Sequence, residues 1–235
     1  EAFAQMAIQG VALDDLSPED ESLGHTTKHA KACALPASDD GPGCGNRREC
    51  LLTNVLELAE RCDYEEDHTK HVTELSLGLF DALSNLHRFG PEERFWLKCG
   101  SLLHDIGWIE GRKAHHKTSL RLILEGLDGG FSRREKGIIA SVARYHRGAL
   151  PKDKHSHFKT LAPVDQYRVT VLASLLRVAD GLDRTHRKVV QGVSCDVSAR
   201  EIRVTCDVRM YPGPERDKAM QKGRLLERAF DRELV

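Results

Sequence analysis

The stretch Ser101-Leu102-Leu103-His104-Asp105-Ile106-Gly107 sets a histidine beside an aspartate at the end of an apolar run, just before a glycine. Neighbours on a helix point about 100° apart, so both side chains of a last turn can reach one ion. Further groups extend apolar faces along the chain. His68 stands four residues before Val72 and seven before Leu75, with His71 nearly in line, and His146 stands four after Val142. Asp180 continues the line of Leu172 and Leu176 at four-residue steps, where a carboxylate is expensive to bury unless it is paired or holds a metal. Imidazole and carboxylate together suit a divalent ion such as Mn, Fe, Ni, Co, Zn or Mg. Such an ion activates water for hydrolysis, and a second can clamp the leaving side. The set is long enough for one ion or for two. Each member also has a structural explanation: a histidine on an apolar face is usually satisfied by a carbonyl, and His104-Asp105 or Asp180 can simply close a helix. The pattern alone leaves both explanations open.

These residues need elements to position them. Arg48–Cys62 reads as a helix with Leu52, Val55, Leu56 and Ala59 on one face. A longer helix is predicted from Glu65 to His87, with His68 on its buried side. Gly90-Pro91 starts a third, running to His104-Asp105 and stopped by Gly107; Pro91, Glu92 and Glu93 suit its first turn. Gly111 to Lys117 reads as a basic loop carrying Arg112, Lys113, His115, His116 and Lys117, followed by a helix over Ser119–Leu127. Ser132 with Glu135 forms a capping box before a helix that carries Ile138, Ile139, Val142 and Ala143 and ends at His146. Arg147 to Thr160 reads as a polar loop holding His155 and His157. A helix is predicted over Val164–Gly181. The period then changes: Val193, Cys195 and Val197, then Ile202, Val204, Cys206 and Val208, alternate about a turn at Ser198–Arg200, which marks a β-hairpin. A last helix is predicted over Pro214–Leu234.

The fold class expected is mainly α, a helical bundle over 48–188 with a small α+β module over 189–235, preceded by a flexible leader over 1–47 that includes a short helix at Ala2–Ile8. A zinc site built from Cys33, Cys44 and Cys50 with His25 and His29 is disfavoured, because no CxxC pair is present. The chain of 235 residues is 40% hydrophobic and 30% charged with a net charge of −1, so no global field selects nucleic acid or an acidic membrane. No apolar run reaches the length of a membrane span and no signal peptide opens the chain. Seven scattered cysteines suggest reduced thiols and a cytoplasmic setting rather than a disulfide framework. The chain begins with Glu1, which leaves an upstream domain open.

His68, then His104-Asp105, then Asp180 resembles the H…HD…D signature of the HD-domain metal-dependent phosphohydrolases. From about Cys62 onward the chain is similar to the C-terminal HD-type region of the exopolyphosphatase/guanosine pentaphosphate phosphatase (Ppx/GppA) family. The segments that carry this are His68-Thr69-Lys70-His71-Val72, Leu77-Gly78-Leu79-Phe80-Asp81-Ala82-Leu83, Leu102 to Gly107, His115 to Ser119, Ala143 to Arg147, and Leu176 to Arg184. The hairpin and last helix resemble that family's small C-terminal module. The resemblance implies an HD-type bundle in which His68, His104, Asp105 and Asp180 hold a first metal. His116 and His146 would complete a second site or hold substrate, with His115 taking the place of His116 if the alignment shifts by one. Thr118 stands where many relatives carry a further histidine. By charge and nearness, Lys117, Arg144, Arg147 and Arg184 are candidates to receive phosphate oxygens, with a weaker case for His155 and His157.

The activity implied is metal-dependent hydrolysis of a phosphoester or phosphoanhydride, with His104 and Asp105 at its centre and a nucleotide or polyphosphate-like substrate. Nucleic acid and membrane are not expected partners; a homodimer is compatible. Full-length members carry an actin-like pair of domains upstream that holds the polyphosphate-hydrolysing site, and nothing before Arg48 resembles it. In those members this region serves structure, dimerisation or polymer binding. The alternatives are therefore a non-catalytic polyphosphate- or alarmone-binding module, or the tail of a longer exopolyphosphatase.

Overall fold

The computed structural model describes residues 47–235. The expectations for the leader, including the helix at Ala2–Ile8 and the thiols Cys33 and Cys44, lie outside the described residues. The elements run α1 (Arg47–Arg61), α2 (Glu66–Ala82), α3 (Ser84–His87), α4 (Pro91–Leu102), a 3-10 turn (Ile106–Glu110), α5 (His115–Gly126), α6 (Arg133–Arg144), α7 (Ser156–Lys159), α8 (Pro163–Leu182), β1 (Val190–Val197), β2 (Glu201–Val208), α9 (Gly213–Lys222), α10 (Arg224–Phe230) and β3 (Glu233–Leu234). The fold is mainly α with a small β module, as expected.

Helix α8 is the axis. Val171, Leu172, Ala173, Leu175, Leu176 and Ala179 are all buried, and from Val171 to Ala179 the helix is covered on every side. It packs against α2, α4, α6, α9 and α10. Helix α2 brings Val72, Leu75 and Leu79 to this core and carries His68 on the same side. Helix α6 opens on the expected capping box: Glu135 N–H donates to Ser132 Oγ at 3.2 Å, and Ser132 N–H donates to Glu135 Oε2 at 2.8 Å. The C-terminal strands order as β1-β2-β3, with β1 and β2 antiparallel (Cys195 opposite Val204) and β3 parallel to β2. Strand β1 packs on α2 and α9 on α8. At Gly181 the helices α8 and α9 approach so closely that an added Cβ would sit 2.6 Å from Ala219 Cα. The described residues 47–235 fall within one compact unit.

Five local expectations are corrected. Helix α4 stops at Leu102, not Asp105, and Leu103 leaves helical geometry at φ −110° and ψ 6°. Helix α6 likewise ends before His146. The predicted loop over 111–117 already turns helical at His115, because Ala114 caps α5 in a left-handed conformation. The single last helix divides at Gly223 into α9 and α10, and the chain turns into β3 at the left-handed Asp231; Leu234 Cδ2 would lie 2.3 Å from a Cβ at Gly223. The polar stretch 147–160 holds the short α7. Cys62, Cys99, Cys195 and Cys206 are free thiols. Cys50 is disulfide-bonded, which corrects the expectation of reduced thiols throughout; pairing depends on how closely two Cα atoms approach, and spacing does not report that.

Candidate metal centre

Three imidazoles are held by the same device, and a fourth by a carboxylate. His104 Nδ1 donates to Ser101 O at 2.7 Å, His146 Nδ1 to Ala143 O at 2.7 Å, and His115 Nδ1 to Arg112 O at 3.0 Å. Each uses the carbonyl three residues back, which is why His104 and His146 sit just past their helix ends. His68 Nδ1 donates to Asp183 Oδ2 at 2.8 Å, and Asp183 Oδ1 accepts from Lys188 N–H at 2.9 Å. Carbonyl and carboxylate oxygens can only accept, so the neutral rings carry their proton on Nδ1 and present a lone pair at Nε2. His68 Nε2 and His104 Nε2 are buried with no hydrogen-bond partner among the described residues.

The free nitrogens converge on Asp105. Its Oδ1 lies 2.9 Å from His115 Nε2 and 3.3 Å from His146 Nε2, and those two nitrogens are 3.2 Å apart. With both Nδ1 protons committed, neither nitrogen has a proton to share, and Asp105 Oδ1 has no donor among the described residues. Three electron pairs facing one another are repulsive unless a cation joins them. Two nitrogens bound to one ion at about 2.1 Å lie about 3.0 Å apart at octahedral and about 3.4 Å at tetrahedral angles, and the 3.2 Å found lies between them. Asp105, His115 and His146 form one group with ligand-like spacing, and His68, His104 and Asp105 form a second that shares the aspartate. The donor set, two neutral imidazole nitrogens and one carboxylate oxygen per group, with second-side hydrogen bonds on the imidazoles, fits a divalent ion.

The matching stretch is now interpretable. A family model described as "Ppx/GppA phosphatase, domain III" matches residues 52–210. The chain belongs to the Ppx/GppA phosphatase family. No curated protein matches it.

In this domain III the turn between α4 and α5 is fixed by Ser119, whose Oγ donates to His104 O at 2.8 Å and accepts from Gly107 N–H at 3.0 Å. Gly107 lies against the first turn of α5; an added Cβ would be 2.1 Å from His115 O. Burial pushes His104 down to about 4 and His146 well below the usual histidine range, against the pull of Asp105. Burial works against ionising Asp105; only when the rings are protonated do the charge of His104 and the hydrogen bond from His115, with His146, outweigh it and lower the carboxylate. Burial also opposes the charge of Asp183, and the hydrogen bonds from His68 and Lys188 outweigh it.

The expected residues fall into three groups. His68, His104, Asp105 and His146 come together, with His115 rather than His116. His116 packs beside Gly148, its Nδ1 buried without a partner among the described residues, and burial with Arg144 pushes it down to about 3. Asp180 is at the edge: Oδ1 lies 3.7 Å from His68 Nε2, while Oδ2 accepts from Lys222 of α9. Asp105, His115, His146 and Asp180 open into a cavity of about 1030 Å³. Arg147 and Arg184 line it; Lys117 and Arg144 are not among its lining residues. Arg144 instead stands over the Tyr145 ring at 5.7 Å, and Tyr145 Oη pairs with His155 Nδ1 at 2.7 Å.

Sequence reasoning missed Asp183, Arg177 and Lys222. Asp183 follows Asp180 by one helical turn, so its place on the same face was readable. Arg177 lines the cavity and donates to Tyr145 O at 2.9 Å, and burial brings its guanidinium down to about 10. Lys222 reaches the site from the C-terminal module, and burial and Arg177 lower it to about 7. Nothing local marked either. Lys218, Arg224 and Arg228 also border the cavity, so cations from the last two helices face Arg147, Arg177 and Arg184.

Proposed function

We propose that this chain is a metal-dependent phosphohydrolase of the HD type, acting on a phosphoester or phosphoanhydride of a nucleotide or polyphosphate-like substrate. The observation that carries the reading is the 3.2 Å approach of His115 Nε2 and His146 Nε2 beside Asp105 Oδ1, with both Nδ1 protons held elsewhere. His68, His104 and Asp105, with Asp180 adjacent, would hold one divalent ion; Asp105, His115 and His146 would hold another. Such ions supply Lewis-acid activation of water and of the phosphoryl oxygens. Asp183 keeps His68 in its Nδ1–H tautomer, and the carbonyls of Ser101, Ala143 and Arg112 do the same for the other rings. Arg147, Arg177 and Arg184 receive phosphate oxygens, where a guanidinium can make two parallel bonds. Their fixed positive charge stabilises the charge that develops as the phosphorus–oxygen bond breaks.

One observation favours the non-catalytic alternative. Lys222 is paired with Asp180, and a carboxylate engaged by an ammonium is a weaker metal ligand. A module that only binds phosphorylated ligands would use the same basic cavity without chemistry. Metal content separates the two. Protein purified without chelator is expected to carry close to one or two equivalents of a first-row divalent ion and to release phosphate from p-nitrophenyl phosphate or tripolyphosphate. The His104→Ala/Asp105→Ala variant is expected to lose both. A protein with no bound metal, no thermal stabilisation by any added divalent ion and no change in the variant refutes the hydrolase.

A further inference from the structure

One cation of the cavity is placed differently from the others. Lys222, the last residue of α9, is buried. Lys218, one turn earlier, instead turns its Nζ to Gln221 Oε1 at 2.7 Å. Two contacts hold Lys222 against α8. Arg177 Nε–H donates to Lys222 O at 3.4 Å. Ala219, three residues before Lys222 and so on the same face of α9, sits on Gly181, where an added Cβ would lie 2.6 Å from Ala219 Cα. Gly181 is the residue after Asp180, and the ammonium at the end of this anchored stretch meets Asp180 Oδ2. Lys222 is also close enough to act by charge on His104, Asp105 and His146.

The two ligand groups differ in consequence. Asp105 meets His104, His115 and His146, all of them histidines. Asp180 divides its two oxygens: Oδ1 faces His68 Nε2 at 3.7 Å, and Oδ2 holds the Lys222 ammonium. A positive charge therefore already stands where the His68, His104 and Asp105 group would draw on its nearest further carboxylate. A divalent ion and an ammonium about 5 Å apart repel by more than tenfold in affinity even at the dielectric constant of water. The stem of Lys222 is fixed with α9, but its side chain lines the cavity, so rotation into that space is the route by which it would release Asp180.

We propose that Lys222 is a resident cation that competes with metal for Asp180, so that the two groups load unequally: Asp105, His115 and His146 take the tight ion, and the group at His68, His104 and Asp105 fills only at higher metal concentration. The proposal rests on the metal-dependent reading of this centre, and its test reads binding rather than turnover. The full chain, Lys222→Met, Lys222→Gln and Lys218→Met would each be freed of metal with EDTA, exchanged into chelator-free buffer and titrated with Mn against a fluorescent chelator. The unmodified chain is expected to bind its second equivalent at least about tenfold more weakly than its first. Lys222→Met and Lys222→Gln remove the charge and keep much of the side chain. Both are expected to tighten the second equivalent about tenfold or more, and the first by a smaller factor. Lys218→Met removes a cavity charge that does not pair with Asp180, and is expected to leave both equivalents within about threefold. Two equivalents of equal affinity in the unmodified chain overturn the proposal. So does a second equivalent that the Lys222 variants leave unmoved, tighten no more than the first, or tighten no more than Lys218→Met does. Failure of the metal reading itself looks different: none of the four proteins binds Mn, and the proposal falls with it.

Discussion

Asp183→Asn is the most informative single change, because it alters no atom that would touch a metal. Asp183 is fully buried; its Oδ2 accepts from His68 Nδ1 at 2.8 Å and its Oδ1 from Lys188 N–H at 2.9 Å. An asparagine of the same shape offers one acceptor and one donor where two acceptors are needed. If its NH2 faces His68, the ring must move its proton to Nε2 and loses the lone pair that points to Asp105 and His104. If its NH2 faces Lys188, two N–H groups oppose each other and the loop after α8 loses a buried hydrogen bond, at about 1–3 kcal/mol. Loss of a carboxylate behind a metal-bound histidine typically lowers metal affinity 10- to 100-fold, about 1.4–2.7 kcal/mol. Competition titration against a fluorescent chelator measures this directly. The site built on His68, His104 and Asp105 is expected to weaken by that factor. The site built on Asp105, His115 and His146 is expected to stay within about threefold, since its holding groups are backbone carbonyls. Unchanged affinity at both sites in a folded variant would mean that Asp183 does not set the state of His68, and the orienting argument would fail.

His115→Ala is expected to remove one of two bound equivalents of metal while His116→Ala keeps both, as read by elemental analysis; the reverse result would place His116 in the site. Gly107→Ala puts a methyl about 2.1 Å from His115 O, so it should lower the unfolding free energy by roughly 1–3 kcal/mol and reduce metal retention, checked by denaturant melts and metal content. In chelator, stability should fall as pH drops below about 6.5. The unfolded chain takes up protons there, whereas buried His104 does so only near 4. The expected slope is about 1.4 kcal/mol per pH unit for that group, levelling off below its folded pKa. The Asp183 contribution, from a lowered carboxylate, is present above its unfolded pKa of about 3.9 and is lost only as pH falls through its lower folded value. A stability profile that stays flat from pH 7.5 to 4.5 would contradict the histidine assignment.

Much was legible in residue order, for a definite reason. Helix and strand periods report which face of an element is buried, so α1, α2, α6, α8 and the hairpin were readable, and so were His68, His104, Asp105 and His146 as polar groups extending apolar faces. The capping box at Ser132 and Glu135 and the helix start at Pro91 are local chemistry, and they appear where local chemistry puts them. Domain III membership agrees with the motifs spread from His68 to Arg184.

Tertiary structure alone decided the rest. Periodicity says that a face is covered, not by what. The choice of His115 over His116 depends on the left-handed Ala114 that starts α5 early and turns His115 toward Asp105. His104 and His146 sit beyond their helix ends because each ring reaches back to a carbonyl, which a helical wheel does not register. Lys222 meets Asp180 across 42 residues, and Trp108 stands parallel to His186 across two loops whose packing no local pattern encodes. Residue types and spacing thus determined that this chain holds a histidine–aspartate set on a helical scaffold. Which of those side chains meet, which tautomer each presents and which cations close the cavity follow from how α8 brings the C-terminal helices against the α4–α5 turn. Contacts between segments far apart in sequence are made only when the whole core packs.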